Sequence, residues 1–314
     1  MVPHRSPLIA LRTYLQHPQR EAMDAKAEFV FFFVERDEAR VTHLEEVAIP
    51  RLGQLPPNVK IHCMCSKFDE SVMAMLDALE KRGGRLAPCF AFADPFGFSD
   101  TPMEVIARLL ENERSEVLIT FMLDWVNRFL EHPEEKIAEH YDKLFGDPGW
   151  RQLVQAADRF VAIRAFYAEQ LRRVVPYVWS FSMLNERNRP IYDLFFAGGH
   201  IDGLRKIKQA MWREDRSGGA RFSDRADGTL TIFEPEPDTS QLQRVLVEQF
   251  AGRTVSYTEL ERWVLLNSPF HDSHIKRRTL RPLEKDGGIE VVPSPFRPRK
   301  RAGTYPPDCS IRFA

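Results

Sequence analysis

Asp94, Pro95, Phe96 and Gly97 stand directly after the short apolar run CFAFA at 89–93, and their types suit a ligand rim. A run of that length reads as a strand buried on both faces. Asp94 then lies at its carboxyl end, the edge where open α/β sheets bind ligands. Pro95 and Gly97 turn the chain there, and the Asp94 carboxylate can accept hydrogen bonds from an amine or a hydroxyl. Glu35 closes a second apolar run, FVFFFVE, in the same manner. A third run, VKIHCMC, leads into Ser66, Lys67, Phe68 and Asp69. Phe68 can stack on a flat ring, and Asp69 can accept a hydrogen bond that Lys67 cannot. Each carboxylate also has a plainer use, Glu35 and Asp94 as turn residues and Asp69 as N-cap of the next helix. A different chemistry is placed near the carboxyl terminus. His274, Arg277, Arg278 and Arg281 can share the exposed side of one helix, and Arg297, Arg299, Lys300 and Arg301 follow it. Such a patch can neutralise phosphates, and an arginine in it can read guanine edges; it can also serve only to keep a helix soluble.

An alternation of strands and helices must position these residues. Ser6 and Pro7 open a helix over LIALRTYLQ as N-cap and first helical residue. There follow the strand FVFFFVE, the helix RVTHLEEVAIPRL, the strand VKIHCMC and the helix ESVMAMLDALEKRG, closed by Gly83 and Gly84. The strand ending at Asp94, the helix PMEVIARLL and the strand EVLITFML continue the series. This order predicts a Rossmann-like α/β fold with a parallel, doubly wound sheet. Residues 127–175 turn helical and charged, an insertion expected over the sheet's edge. YVWSFSMLNERNRPIYDLFFAGG then predicts an antiparallel hairpin about residues 186–189. Glu234, Pro235, Glu236 and Pro237 read as a stiff linker, which divides the chain into 1–232 and 233–314. Beyond it Leu242, Val245, Leu246 and Phe250 recur at helical spacing, and Ser256 with Glu259 makes a capping box before Leu260, Trp263 and Val264. Asp272 or Ser273 caps a third helix through Ile275 and Thr279, which Pro282 ends or bends. With Gly287, Gly288 and the strand IEVVP these predict a winged helix-turn-helix, whose third helix enters a DNA major groove; such units also dock proteins.

Composition narrows the class. A chain of 314 residues, 43% hydrophobic, supports a large core and two domains. The formal net charge of -1 exerts no whole-chain pull toward nucleic acid, so the local patch carries that reading. Cys63, Cys65, Cys89 and Cys309 form neither a disulfide framework nor a C-x-x-C pair, and a reducing cytoplasm is expected. Cys63 and Cys65 point to one face of their strand, as a metal pair or as small buried apolar residues. The apolar run FVFFFV is only strand length and no signal peptide is recognisable, so no membrane partner is expected. Paired histidines at metal spacing, a nucleophile elbow and a Walker loop are all absent from the sequence. Asp124, Trp125, Asn127 and Arg128 follow EVLITFML toward the same ligand edge, and His200 precedes a helix; all can simply start helices.

A parallel sheet closing with an antiparallel hairpin, with acids at its strand ends, is the pattern of class I methyltransferases, which bind S-adenosylmethionine across those ends. In that pattern Glu35 accepts from a ribose diol, and Phe68 and Asp69 meet the adenine. The wording of several segments is more specific. SPLIAL, FAFADPFGF, SEVLITFMLDWVNRF, SFSMLNERNRPIYDLFFA and GLRKIKQAMW closely resemble the three-Cys-motif partner proteins, the TcmP family, over nearly the whole chain. The resemblance implies a methyltransferase-like domain with a winged-helix tail, working beside a separate three-cysteine protein whose motif is similar to that of radical-SAM clusters. It gives no role to the cysteines of this chain. It also implies a strand and an Asp-x-Phe-Ala-Gly-x-Gly loop ahead of SPLIAL, which here begins at Ser6. That strand would stand between those ending at Glu35 and Asp94, and its glycines would admit the cofactor. Without it, two strand edges are left unpaired or are forced together. The chain is therefore expected to be either a shortened family member or a remnant that does not bind cofactor. Asp94 to Gly97 also resembles the Asn/Asp-Pro-Pro-Tyr/Phe motif of base amino-methylating enzymes, with one proline instead of two. Two functions follow from these readings. One is S-adenosylmethionine-dependent methylation of nucleic acid, with Asp94, Pro95, Phe96 and Gly97 shaping the transfer site. The other is non-catalytic DNA binding or scaffolding.

Overall fold

The structure, a computed structural model, describes residues 5–95, 97, 100–185, 189–214, 221–223, 238–294 and 301–314. It is a mixed α/β molecule. β1 (Phe29–Glu35) and β2 (Val59–Cys65) pair in parallel along their whole length, Phe29 opposite Val59 and Glu35 opposite Cys65. They form a sheet of their own. β3 (Phe90–Ala93), β4 (Glu116–Phe121), β5 (Tyr177–Leu184), β6 (Pro190–Gly198) and β7 (Arg221–Ser223) form a second sheet in the order β3-β4-β6-β5-β7. In it β3 and β4 are parallel, β6 is antiparallel to both β4 and β5, and β7 is parallel to β5. The expected hairpin is therefore present, its turn closed by the Asn185 N–H on the Arg189 carbonyl at 2.9 Å; residues 186–188 lie outside the described residues.

The expected single doubly wound sheet is corrected by this topology. Among the described residues β1 bonds only to β2 and β3 only to β4, because none of the described strands stands between β1 and β3 to take their outward backbone groups. β3 is accordingly an edge strand, not a central one, and its Phe90 and Phe92 are exposed. Apolar aromatic content made it look buried, and content alone cannot tell a missing neighbour from a present one.

Helices cover both sheets. α1 (Arg5–Leu15) already includes Arg5, so Ser6 does not cap it and Pro7 sits within its first turn, where the missing N–H costs nothing. Tyr14 packs on Phe29 and Phe31, ring centroids 4.7 and 5.6 Å away, and donates its hydroxyl to Asp24 of α2 (Arg20–Asp24). α3 (Glu38–His43), capped by Asp37, and α4 (Phe68–Lys81) follow β1 and β2. α5 (Met103–Leu110) buries Val105, Ile106, Leu109 and Leu110 beside β4. α6 (Leu123–Phe129), α7 (Glu135–Phe145) and α8 (Arg159–Val174) are the expected helical insertion. It covers a face of the larger sheet, not its edge: Tyr167 of α8 stacks on Phe121 at 4.3 Å and meets Phe195 edge-on at 5.0 Å. A polar clasp sits in the same layer, with Arg164 donating through Nε and a terminal nitrogen to the two oxygens of fully buried Asp193, at 2.6 and 3.2 Å. Gly146 ends α7 at φ 65, and a Cβ there would come within 3.1 Å of Met103. Gly146→Ala is expected to cost about 1–2 kcal/mol in chemical denaturation, since both the left-handed backbone and the contact oppose it.

α9 (Ile201–Glu214) returns along the sheet and leads to the last unit. There α10 (Ser240–Phe250), α11 (Tyr257–Asn267) and a third helix surround a core of Leu242, Leu246, Phe250, Leu260, Val264 and Ile275. β8 (Thr254–Ser256), β9 (Ile289–Val292) and β10 (Ser310–Phe313) close it as an antiparallel sheet in the order β8-β10-β9. Ser256 caps α11 as expected, its hydroxyl accepting from the Glu259 N–H at 3.1 Å. The third helix runs from α12 (Asp272–His274) through a more widely wound stretch, Ile275–Leu280, into α13 (Arg281–Lys285). Its cap is His271, not Asp272 or Ser273. Pro282 does not end it, because the Arg278 carbonyl that its missing N–H leaves unserved accepts instead from Thr239 and Gln243 of the α10 start. The expected linker, 234–237, lies outside the described residues. Trp212 of α9 packs inside the last unit's core, so α9 serves both units.

Candidate functional site

The carboxyl ends of β1 and β3 form one rim, tied by Arg36, which donates to Asp100 at 3.2 Å. Glu35 is held there by its own turn. One of its oxygens accepts the N–H groups of Arg36 and Asp37 at 2.8 and 3.1 Å, and the other faces Arg40 at 3.5 Å. Both acceptor oxygens expected for a ribose diol are thus engaged locally. Asp94 and Pro95 turn out of β3 with Asp94 exposed, and Gly97 is buried at φ 115 beside the Trp125 ring. Phe96 lies outside the described residues. Phe68 opens α4 and packs against the main core. Asp69 lies in the first turn, not at the cap; that position is Lys67, which pairs with Glu70 at 3.1 Å. One oxygen of Asp69 and the hydroxyl of Ser71 are buried with no hydrogen-bond partner.

The rim therefore gathers Glu35, Arg36, Asp100, Asp94 and Gly97, but among the described residues it holds no glycine turn between β1 and β3. Among the described residues the left-handed glycines are Gly53, Gly83, Gly97, Gly146, Gly252, Gly287 and Gly303, and only Gly97 is at this rim. Cys63 and Cys65 stand in different surroundings: burial pushes the Cys63 thiol up to about 11, while Cys65 is exposed and its sulfur donates to the Arg36 carbonyl at 3.6 Å. No group of side chains suited to a metal occurs among the described residues. His200 is exposed and accepts the Asp202 N–H at 3.2 Å, as a helix-start residue does.

The third helix is the second candidate. Arg277 and Arg281 are exposed, as expected. Arg278 is only half-buried, and its carbonyl accepts from Thr239 and Gln243 at the start of α10, at 2.8 and 3.1 Å. His274 is corrected outright, being 3% exposed. Its ring lies 4.4 Å from that of Trp212 and 4.1 Å from that of His271, and it accepts the His271 N–H to complete the helix cap. Burial, with His271 and Arg278 nearby, pulls its imidazole down to about 4, so it carries no charge toward a ligand at neutral pH. Arg299 and Lys300 lie outside the described residues, as does Arg297; Arg301 is exposed. Two basic residues join the patch that sequence reasoning missed. Lys276 is exposed with its ammonium 4.6 Å from the Tyr257 ring, and Lys285 is exposed at the end of α13. Their signal was the five basic residues among the ten of KRRTLRPLEK.

A third group was invisible in the sequence. Lys208 of α9 is 0% exposed and donates to the carbonyls of Leu265, at 2.5 Å, and Ser268, with its ammonium 3.5 Å from the Trp179 ring. Beside it Trp212 donates to the Pro269 carbonyl at 2.8 Å and Gln209 to Asp272 at 3.1 Å. These contacts pin the last unit to the sheet. No helix of the described residues is long and apolar enough to cross a membrane. Set beside known proteins, the chain matches no family model, no curated protein and no solved structure.

Proposed function

We propose that this chain is a nucleic-acid-binding protein that grips its ligand with the third helix of a winged-helix unit, and whose sheet domain is a methyltransferase-like scaffold. The observation that carries the reading is the exposure of Lys276, Arg277, Arg281 and Lys285 along one short helix of a chain with formal net charge -1. Such clustering serves phosphate neutralisation better than solubility, for which scattered charge suffices. The three-helix and three-strand arrangement supports the winged-helix reading, with β9 and β10 as the strands of the wing. The TcmP resemblance suggests a three-cysteine protein as the partner to which the nucleic acid is presented.

The methyltransferase-like reading of the sheet domain rests on the order β3-β4-β6-β5, in which the antiparallel β6 lies between β4 and β5, themselves parallel to each other. S-adenosylmethionine does not fit the residues as they are folded. The Glu35 carboxylate is taken by its own turn, and among the described residues no backbone cradle lies between β1 and β3. No catalytic step through the cofactor is therefore derived.

Fluorescence anisotropy with a labelled DNA duplex tests the binding reading. Affinity is expected to fall linearly, on logarithmic axes, with salt. Arg277→Ala with Arg281→Ala is expected to weaken binding about tenfold and to reduce the salt slope by about 2, one phosphate contact each. An unchanged slope in the double variant would overturn it. Calorimetry with S-adenosylmethionine is expected to show no heat of binding on this chain; a clear isotherm returns the sheet domain to the enzymes.

A further inference from the structure

The third helix is capped by two imidazoles where helices ordinarily use a hydroxyl, an amide or a carboxylate, and this holds whatever the helix binds. The Ser273 N–H donates to His271 Nδ1 at 3.4 Å, and the His271 N–H donates to His274 Nδ1 at 3.3 Å, which makes the cap reciprocal. A ring nitrogen accepts only through a free lone pair. Both bonds therefore require Nδ1 without a proton. His271 Nδ1 also lies 3.2 Å from an oxygen of Asp272, a bond that needs a proton on that nitrogen and so excludes the cap. The ring centroids are 4.1 Å apart, and both residues are buried, His271 at 8% and His274 at 3% exposure.

The surrounding charges decide what a proton does there. α9 faces the cap with Lys208 and Arg205, the third helix itself with Asp272 and Arg278, and α11 with Tyr257 and Glu261. Glu261 is taken by Arg205 at 3.5 Å and by the Tyr257 hydroxyl at 3.4 Å, and Gln209 already donates to Asp272 at 3.1 Å. Among the described residues Asp272 is thus the one carboxylate left for two imidazolium rings, which would also stand at the positive end of the helix. Burial outweighs the attraction of the Trp212 face, so the His274 imidazole is pulled down to about 4 and that of His271 below its ordinary value. The closed turn holds fewer protons than an open one. Its closure is therefore complete above 6.5, the ordinary imidazole value, and weakens as pH falls toward about 4. What the turn holds is the joint: Trp212 of α9 packs on Phe270 and His274, ring centroids 5.4 and 4.4 Å away, and donates to the Pro269 carbonyl. The core of the sheet domain shares no residue with this turn. We propose that the turn is a proton-operated catch: protonation of His271 and His274 breaks the reciprocal cap and releases the third helix from Trp212 of α9, while the sheet domain stays folded.

Hydrogen exchange on the full chain at about pH 7.5 and about pH 5, corrected for the intrinsic pH dependence of amide exchange, tests the catch. Opening of residues 269–280 is expected to rise about thirtyfold or more at the lower pH, the share that proton uptake by His274 alone supplies, while β4 and α5 keep their protection. His271→Asn with His274→Gln rebuilds the cap from amides, which accept a backbone N–H at either pH, and its rise should be at least about tenfold smaller. Lys208→Met, which removes the nearest other titrating cation, should retain the rise. Four outcomes overturn the proposal: equal protection at both pH values, an equal rise in the histidine double variant, loss of the rise in Lys208→Met instead, or loss of protection in β4 and α5 together with the turn. Should the double variant not fold, the imidazole nitrogen shifts of the unaltered chain decide. Both Nδ1 atoms are expected to gain protons over the pH range in which protection of 269–280 is lost, and protonation with that protection intact overturns the catch.

Discussion

Lys208→Ala is expected to lower the free energy of unfolding by about 4 kcal/mol in urea denaturation, because it combines a large cavity with two buried carbonyls that lose their donor. The side chain is fully buried and bonded to the carbonyls of Leu265 and Ser268, so water does not replace it. Lys208→Met keeps the volume and is expected to cost less, about 1–3 kcal/mol, since only the hydrogen bonds to the two carbonyls are lost and no cavity is opened. A pH series isolates the effect of the charge. Burial pulls the Lys208 ammonium from 10.5 down to about 6, so the unfolded chain holds more protons than the folded one between those values. Stability should accordingly rise with pH across that window, with a slope of up to about 1.4 kcal/mol per pH unit, and level off outside it. The Met variant should lack this rise. An unchanged slope in the variant would place the titration elsewhere.

Asp193→Ala should be comparably damaging, about 3–5 kcal/mol, as it strips the bidentate partner from Arg164 under the helical layer. Asp193 is opposite Phe121 on β4 and Ser182 on β5, in the middle of the larger sheet, so the loss loosens α8 where it packs on the strands. The decisive comparison is the double variant Arg164→Met with Asp193→Leu. It removes both charges and is expected to regain most of the stability, since a buried pair contributes little beyond an apolar replacement of similar volume. Calorimetric melting of the single and double variants checks this, and a double variant no better than the single would mean that the pair holds a geometry which packing cannot.

The local elements were legible because their signals are local. FVFFFVE and VKIHCMC became strands in full and EVLITFML as far as Phe121, and the helical spacing of Leu242, Leu246 and Phe250 placed α10 and its buried face, from which only the expected Val245 is turned out. Ser256 was recognisable as a cap from its distance to Glu259. Pairing was not legible in the same way. Phe90 and Phe92 carry the composition of a buried strand, and only the absence of a neighbour exposes them. His274 was misjudged because a histidine among arginines reads as part of a basic face, while its real surroundings are supplied by Trp212, sixty-two positions earlier in the chain. Lys208 interrupts the apolar stripe of Leu204, Met211 and Trp212, which looks like an exposed position until the carbonyls of α11 close over it. Asp193 and Arg164 are similarly distant in sequence, and their pairing is fixed by the fold of α8 on β6. The rim residues were found in the right place, but whether Glu35 is open to a ligand depended on a turn of two backbone amides that side-chain reading does not reveal.

α9 has a consequence for how the molecule handles force. Its one buried face joins Leu204 to Phe196 of β6 and Leu265 of α11 in a single cluster, and the same face carries Lys208 and Trp212 into the last unit. A pull exerted on the third helix therefore passes as torque through a stiff rod to β5 and β6, so that strain applied to the last unit becomes shear in the sheet.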